Sequence, residues 1–202
     1  MAALNHAFEE GGWAMYVILF WLVLAIGFAI ERAVYLYKSS INKDVFLSTM
    51  QKCILAGDIG RAIKLCSAAN APLARIVKAG LMKVNRPDAE VQAAMDEAAL
   101  RELPKIETRT PFLGLFANLA MLSGLFGTVL GLINAFAAVA GADQASKATM
   151  LAKGISEAMN CTAFGLISAI VALMSMAVLN GKTQGLLDDI NAATVQVMNL
   201  VV

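Results

Sequence analysis

Histidine is almost absent from this chain: His6 is the only one in 202 residues. Imidazole-based catalysis and His-ligated zinc therefore have almost nothing to work with. Cysteine is scarce too, and because Cys53, Cys66 and Cys161 form no CxxC pair they read as small buried apolar residues rather than metal ligands. Charge is low: with 15% charged residues and a formal net charge of +1 there is no basic surplus, and no nucleic-acid partner is expected. There is no internal repeat, no low-complexity tract and no Gly-rich phosphate loop, so no nucleotide site is expected. Nothing points to a cofactor, a metal or an enzyme, since Ser123, Ser156, Ser168 and Ser175 lack a membrane histidine to activate them. What fills the chain is apolar residues, 59% of the total, with a mean hydropathy of +0.68. That composition belongs to a polytopic membrane protein.

Three stretches carry it. Trp13 to Ile30 is uncharged and closes with Glu31-Arg32; no basic residue precedes it, so it reads as a retained helix rather than a cleaved signal. From Phe112 to Gly141 no side chain is charged, and at about 1.5 Å per residue this run crosses a hydrocarbon core of about 30 Å. A third apolar helix ends near Asn180. The expected organisation is an outer segment 1–12, spans at 13–31, 112–140 and 154–180, a helical region at 32–111, an outer link at 141–153 and an amphipathic tail helix at 181–202. Basic residues concentrate between Arg32 and Arg109, which places that region and the C-terminus in the cytoplasm and the N-terminus outside.

The region 32–111 is helical by its punctuation. Val45, Phe46, Met50, Cys53 and Ile54 recur at helical steps until Gly57-Asp58 caps a second helix with Ile59, Ala62, Ile63 and Cys66. Pro72 opens a third with Leu73, Ile76, Val77, Gly80, Leu81 and Val84, and Asn85-Arg86-Pro87-Asp88 breaks before a helix from Ala89 to Arg101. Pro104 and Pro111 are expected to interrupt the approach to the second span, bending it twice in one direction if the helix is otherwise continuous. The tail aligns Leu186, Leu187, Ile190, Val197, Met198 and Val201 against Asp188, Asp189 and Asn191.

The second and third spans carry small and hydroxylated residues at helical spacing: Gly124, Gly127, Thr128, Gly131 and Asn134 on one, Ala158, Thr162, Gly165, Ala169 and Ala172 on the other. Such faces pack against protein rather than lipid. In an antiparallel hairpin Thr128 and Thr162 fall at one level, each about a dozen residues or on the order of 18 Å of helix from the outer link. Glu157, five residues nearer the outside, is the only carboxylate embedded in an apolar helix, and Asn134 is level with it. Two uses of each stay open. The hydroxyls either face a polar path or bond to their own helix backbones, and Glu157 is either functional or turned to the headgroups.

The run Gly124-Leu125-Phe126-Gly127-Thr128-Val129-Leu130-Gly131, followed by Ile155-Ser156-Glu157-Ala158-Met159-Asn160-Cys161-Thr162-Ala163-Phe164-Gly165-Leu166, resembles the MotA/TolQ/ExbB proton channel family. Three spans rather than four place the likeness in the ExbB/TolQ branch. The resemblance implies an all-α, polytopic fold whose long helices extend into a helical cytoplasmic domain. It implies a bacterial inner-membrane motor subunit that converts ion motive force into mechanical work on an envelope partner. It also implies a homopentamer, in membrane lipid, around two copies of a single-span ExbD/TolR-like protein whose membrane aspartate takes up protons. Thr128, Thr162, Glu157 and Asn134 would then belong to the ion path, and Gly124, Gly127, Gly131 and Gly165 to helix packing. The alternative is a non-conducting membrane scaffold of the same fold. Two places where the family commonly has proline hold Met121 and Val171, and Leu179 stands where tyrosine is frequent. Both helices should then be straighter, with any bends moved to Pro104 and Pro111.

Overall fold

A computed structural model describes residues 12–140 and 143–201. Residues 1–11, with His6 and most of the expected outer segment, lie outside the described residues, as do Gly141 and Ala142 of the expected outer link and Val202. Among the described residues seven helices follow one another: α1 (Gly12–Ser39), α2 (Lys43–Leu55), α3 (Ile59–Ala68), α4 (Pro72–Leu81), α5 (Asp88–Glu107), α6 (Thr110–Ala140) and α7 (Gln144–Val201). No strand occurs among the described residues. Among the described residues three helices are long and apolar enough to cross a membrane, and this is an all-α, polytopic membrane protein. The described chain divides into two units, residues 12–30 with 109–178 and residues 31–108 with 179–201.

The first unit packs small residues inward and large ones outward. Ala25 of α1, Phe116 and Ala117 of α6, and Ala169 and Ala172 of α7 form one buried cluster, flanked by Trp21, Leu24, Phe28 and Leu119. Phe116 is stacked on Trp21 at 6.2 Å and meets Phe28 edge-on at 5.1 Å. Phe20, Val23, Val129, Ile133, Ile170 and Met174 stay exposed. In water such a surface would aggregate; in a bilayer lipid or a neighbouring chain can cover it, and the small residues let the backbones close.

In the second unit the sequence punctuation decides the local structure. Asp58 accepts from the Arg61 amide at 2.9 Å as N-cap of α3, while Gly57 before it takes φ 72° to end α2. Pro72 occupies the first turn of α4, where its missing N–H costs nothing. α4 buries Leu73, Ile76, Val77, Gly80 and Leu81, and the Met95 side chain of α5 presses where a Cβ at Gly80 would stand. Cys53 and Cys66 are free and buried, and burial pushes the Cys66 thiol up to about 11, which keeps it unreactive. Val45, expected on the inner stripe of α2, is 61% exposed, because Leu47 takes the inward place beside Phe46.

Three expectations are corrected. Pro104 does not interrupt its helix: it lies inside α5, and the Thr108 amide still reaches its carbonyl at 2.9 Å. The break comes at Arg109, in the left-handed region with φ 76°, after which Pro111 sits in the first turn of α6. Two additive proline bends in one continuous helix are thereby excluded, since Pro111 begins a helix rather than bending one. Nor is the tail a separate element, because α7 runs unbroken for 58 residues from inside the stretch expected as a link to Val201. Its inward side, Leu187, Ile190, Ala193 and Val197, follows the expected amphipathic stripe.

The second unit also holds a charge network. Glu102, 8% exposed, takes the Arg75 guanidinium at 2.9 Å and the Lys105 ammonium at 2.7 Å, while the buried Arg32 guanidinium of α1 donates to the Lys105 and Ile106 carbonyls at the end of α5. Burial alone would raise the Glu102 carboxyl, but the Lys105 hydrogen bond and the Arg75 charge outweigh it and hold the group below its usual value. A depressed carboxyl stabilises the fold fully above its unfolded value of about 4.3, and that contribution is lost as pH falls through the folded one. Glu102→Gln is expected to cost about 1–2 kcal/mol at neutral pH, a modest figure because both partners are half exposed to screening water, and to flatten the acid limb of a stability profile. An acid limb unchanged in the variant would remove Glu102 from that role.

Candidate functional site in the membrane hairpin

The hairpin is set by a ladder of small residues on each helix. On α6 the buried positions Ala117, Ala120, Gly124, Gly127, Gly131 and Ala135 step by three or four; Ala158, Cys161, Gly165, Ala169 and Ala172 do the same on α7. A Cβ added at Gly124 would stand 3.0 Å from the Cys161 carbonyl oxygen and 3.1 Å from the Gly165 Cα. At Gly131 it would meet the Ala158 Cβ at 3.2 Å, and at Gly127 both the Ala14 Cβ of α1 and the Cys161 Cβ. Backbone thus lies on backbone at the level of Gly124 and Gly165.

That close approach brings Thr128 and Thr162 together. Their hydroxyls are hydrogen-bonded to each other, and Thr128 Oγ1 also lies 3.1 Å from the Gly124 carbonyl of its own helix and 3.1 Å from the Ala158 carbonyl across the hairpin. One hydroxyl carries one proton, so Thr128 either donates to a carbonyl and accepts from Thr162 or donates to Thr162. Thr128 thus has its own helix backbone within reach, as one of the two uses requires, together with a partner hydroxyl on the facing helix. Ser168 and Ser175 give their protons to the Phe164 and Val171 carbonyls four residues back, each at 2.8 Å. The pair of threonines is half-buried rather than sealed.

Glu157 and Asn134 are not brought together. Asn134 is exposed on α6, whereas Glu157 is half-buried and turned to the start of α1, its Oε1 2.5 Å from where a Gly12 Cβ would stand. Gly12 itself has φ 63°, so both its backbone and the carboxylate select glycine there. The first turn of a helix is where a carboxylate is favoured by the amide dipoles. Chemically the site offers two coupled hydroxyls that can relay a proton or ligate a small cation, with one carboxylate about a turn and a half away along α7. Hydroxyls do not titrate near neutral pH, so a protonation cycle at their own level needs an acid that this chain does not carry there.

Cys161 is buried, as expected of a small apolar residue, but reading the sequence by its glycine pairs missed Gly154 and the α1 face of Gly12 and Ala14. A Cβ at Gly154 would overlap that of Ala135, the tightest approach in the hairpin, and Ala14, Met15 and Cys161 form a buried cluster with Phe164 against it. Gly154 lies eleven residues before Gly165, three turns along one face, and that periodicity was a usable signal. The partner of Glu157 on a separate helix had none.

The sequence model of the MotA/TolQ/ExbB proton channel family matches residues 68–192. The chain is 48% identical over 82 residues to the Tol-Pal system protein TolQ of Haemophilus influenzae, covering 41% of this chain and 36% of that protein. It is 29% identical over 165 residues to the biopolymer transport protein ExbB-like 3 of Synechocystis, covering 81% and 79%. With ExbB-like 1 of Synechocystis the identity is 31% over 180 residues, 85% of this chain and 68% of that one. Thus the TolQ match spans about a third of its relative, and the ExbB-like matches two thirds or more.

Proposed function

We propose that this chain, which belongs to the MotA/TolQ/ExbB proton channel family, is the ion-conducting subunit of an inner-membrane motor that turns ion motive force into mechanical work on an envelope partner. The single observation that carries the conducting role is the hydrogen-bonded Thr128 and Thr162 pair, half-buried and level within the hairpin. Hydroxyls pass protons or hold cations but store no charge. The pathway therefore needs an acid from another chain, and a single-span partner of ExbD/TolR type with a membrane aspartate supplies that chemistry. In this reading five copies of the chain enclose two of the partner, the N-terminus faces out and the C-terminus faces the cytoplasm. One charge moving through about 100 mV releases about 2.3 kcal/mol, enough to bias a rotational step of the ring against the partner. Glu157, resting on the start of α1, orients the first helix near the outer mouth of the path, and Asn134 faces away from it towards a neighbour or lipid. Proton is the ion favoured by the family's description, and sodium is the other that hydroxyls can serve.

A non-conducting scaffold of the same fold is the second reading, favoured by Met121 and Val171. Both sit in unbroken helix, 42% exposed, where the commonly occurring prolines would bend it. Co-purification with the single-span protein encoded beside this chain, followed by native mass spectrometry and cation flux in proteoliposomes, separates the two. Five subunits with two aspartate-bearing partners and a flux that follows the ion gradient are expected. A ring without a partner, or a complete complex with no flux, would leave the scaffold.

A further inference from the structure

In the second unit a groove of about 300 Å³ runs between the last turns of α1 and the middle of α7. It begins where both apolar runs end, α1 passing Arg32 and α7 passing Leu179, and so at the level of lipid headgroups. Its α7 wall contains Gly181 and Gly185, one turn apart in the interior of a helix. A Cβ at either would meet nothing within 4 Å, in contrast to Gly124 and Gly165, whose added Cβ atoms would press on backbone. A helical glycine is disfavoured against alanine by up to about 1 kcal/mol, and no contact within the chain compensates for it here. What the two glycines do is keep the groove open.

Charge selects what fits. Asp189, the only carboxylate of the lining, is paired with the Lys43 ammonium at 2.7 Å, which leaves Lys182 as the cation of the lining without an ion pair. Tyr37 and Ser40, both exposed, bring hydroxyls to the opposite wall, and Leu36 and Leu186 give it an apolar floor. We propose that this groove binds the headgroup of an anionic glycerophospholipid: Lys182 pairs with the phosphate, the Tyr37 and Ser40 hydroxyls donate to phosphate or headgroup oxygens, and the leucines meet the first methylenes. At about 30 Å³ per water the volume displaces about ten waters, room for a phosphodiester and a glycerol. A helix of a second copy would instead have to desolvate Lys182, Ser40 and the Lys43–Asp189 pair, which a hydrated headgroup leaves in water.

Neither ion conduction nor the partner enters this assignment. It is tested on the purified complex, equilibrated with equal amounts of dioleoylphosphatidylglycerol and dioleoylphosphatidylcholine and read by native mass spectrometry. The wild type should retain the anionic lipid over the zwitterionic one by about fivefold, the equivalent of about 1 kcal/mol for one lysine at an anionic surface. Lys182→Gln should abolish the preference and Lys182→Arg restore it, while Gly185→Leu, which fills the groove, should lower retention of both lipids with the subunit count unchanged. Equal retention of both lipids by the wild type, or a preference untouched by Lys182→Gln, overturns the proposal. So does a Gly185→Leu variant that falls apart into single chains with its lipids kept, since the groove would then seat a second copy.

Discussion

Thr162→Val is expected to abolish the force output of the complex while leaving the chain folded and assembled. Valine is close to threonine in shape and puts a methyl where the hydroxyl was, so the change is confined to the contact with the Thr128 hydroxyl, which must give by a few tenths of an ångström. The structural cost is held low by what remains: Thr128 keeps the Gly124 and Ala158 carbonyls within 3.1 Å, so no buried donor is orphaned. One lost hydrogen bond between hydroxyls is worth about 1 kcal/mol, too little to unfold a membrane hairpin. The functional cost is different in kind, because a relay with one member missing does not run at reduced efficiency but is interrupted. Thr162→Ser, which restores the hydroxyl without the methyl, should recover most of the output. Growth that depends on the envelope process, scored beside ion flux and the amount of assembled complex, reads all three. Normal output from Thr162→Val would remove the threonines from the pathway and leave them as packing.

How far the sequence could be read depended on whether the signal was local. Asp58, Pro72 and Gly57 act on their own turns, and the helices begin and end where they stand. The hairpin register was legible because two helices joined by a short link must run antiparallel, so counting from the link pairs Thr128 with Thr162. The positive φ of Arg109 was not legible, since arginine has no preference for that conformation and nothing nearby announces it. Pro104 misled for a related reason. Proline removes one amide and crowds the preceding turn, but a helix packed along one side can carry it, and α5 does, with Glu102 and Ile106 buried on either side. Glu157 could be singled out as an embedded carboxylate; its resting place against Gly12 depends on how α1 packs on the hairpin, which no spacing within either segment encodes.

Gly165→Val should be the most damaging single substitution in the hairpin after those at Gly154. The Cβ alone would stand 3.0 Å from both the Ala120 carbonyl oxygen and the Gly124 Cα, and these are backbone atoms that no rotamer change can move aside. Valine adds two further carbons on a stiff χ1. Overpacking of this kind costs typically about 1–3 kcal/mol, and here relief requires α6 and α7 to separate, which also draws Thr128 away from Thr162. Loss of assembled protein and loss of output are therefore expected together, unlike Thr162→Val, where output alone is lost. Gly181→Val is the matched control: same residue, same helix, open space around the Cβ. Thermal unfolding in detergent followed by size-exclusion should show Gly165→Val melting well below the wild type and Gly181→Val close to it. If both melt alike, the contact at Gly124 and Gly165 is not what holds the two spans together, and the coupling between packing and the hydroxyl pair falls with it.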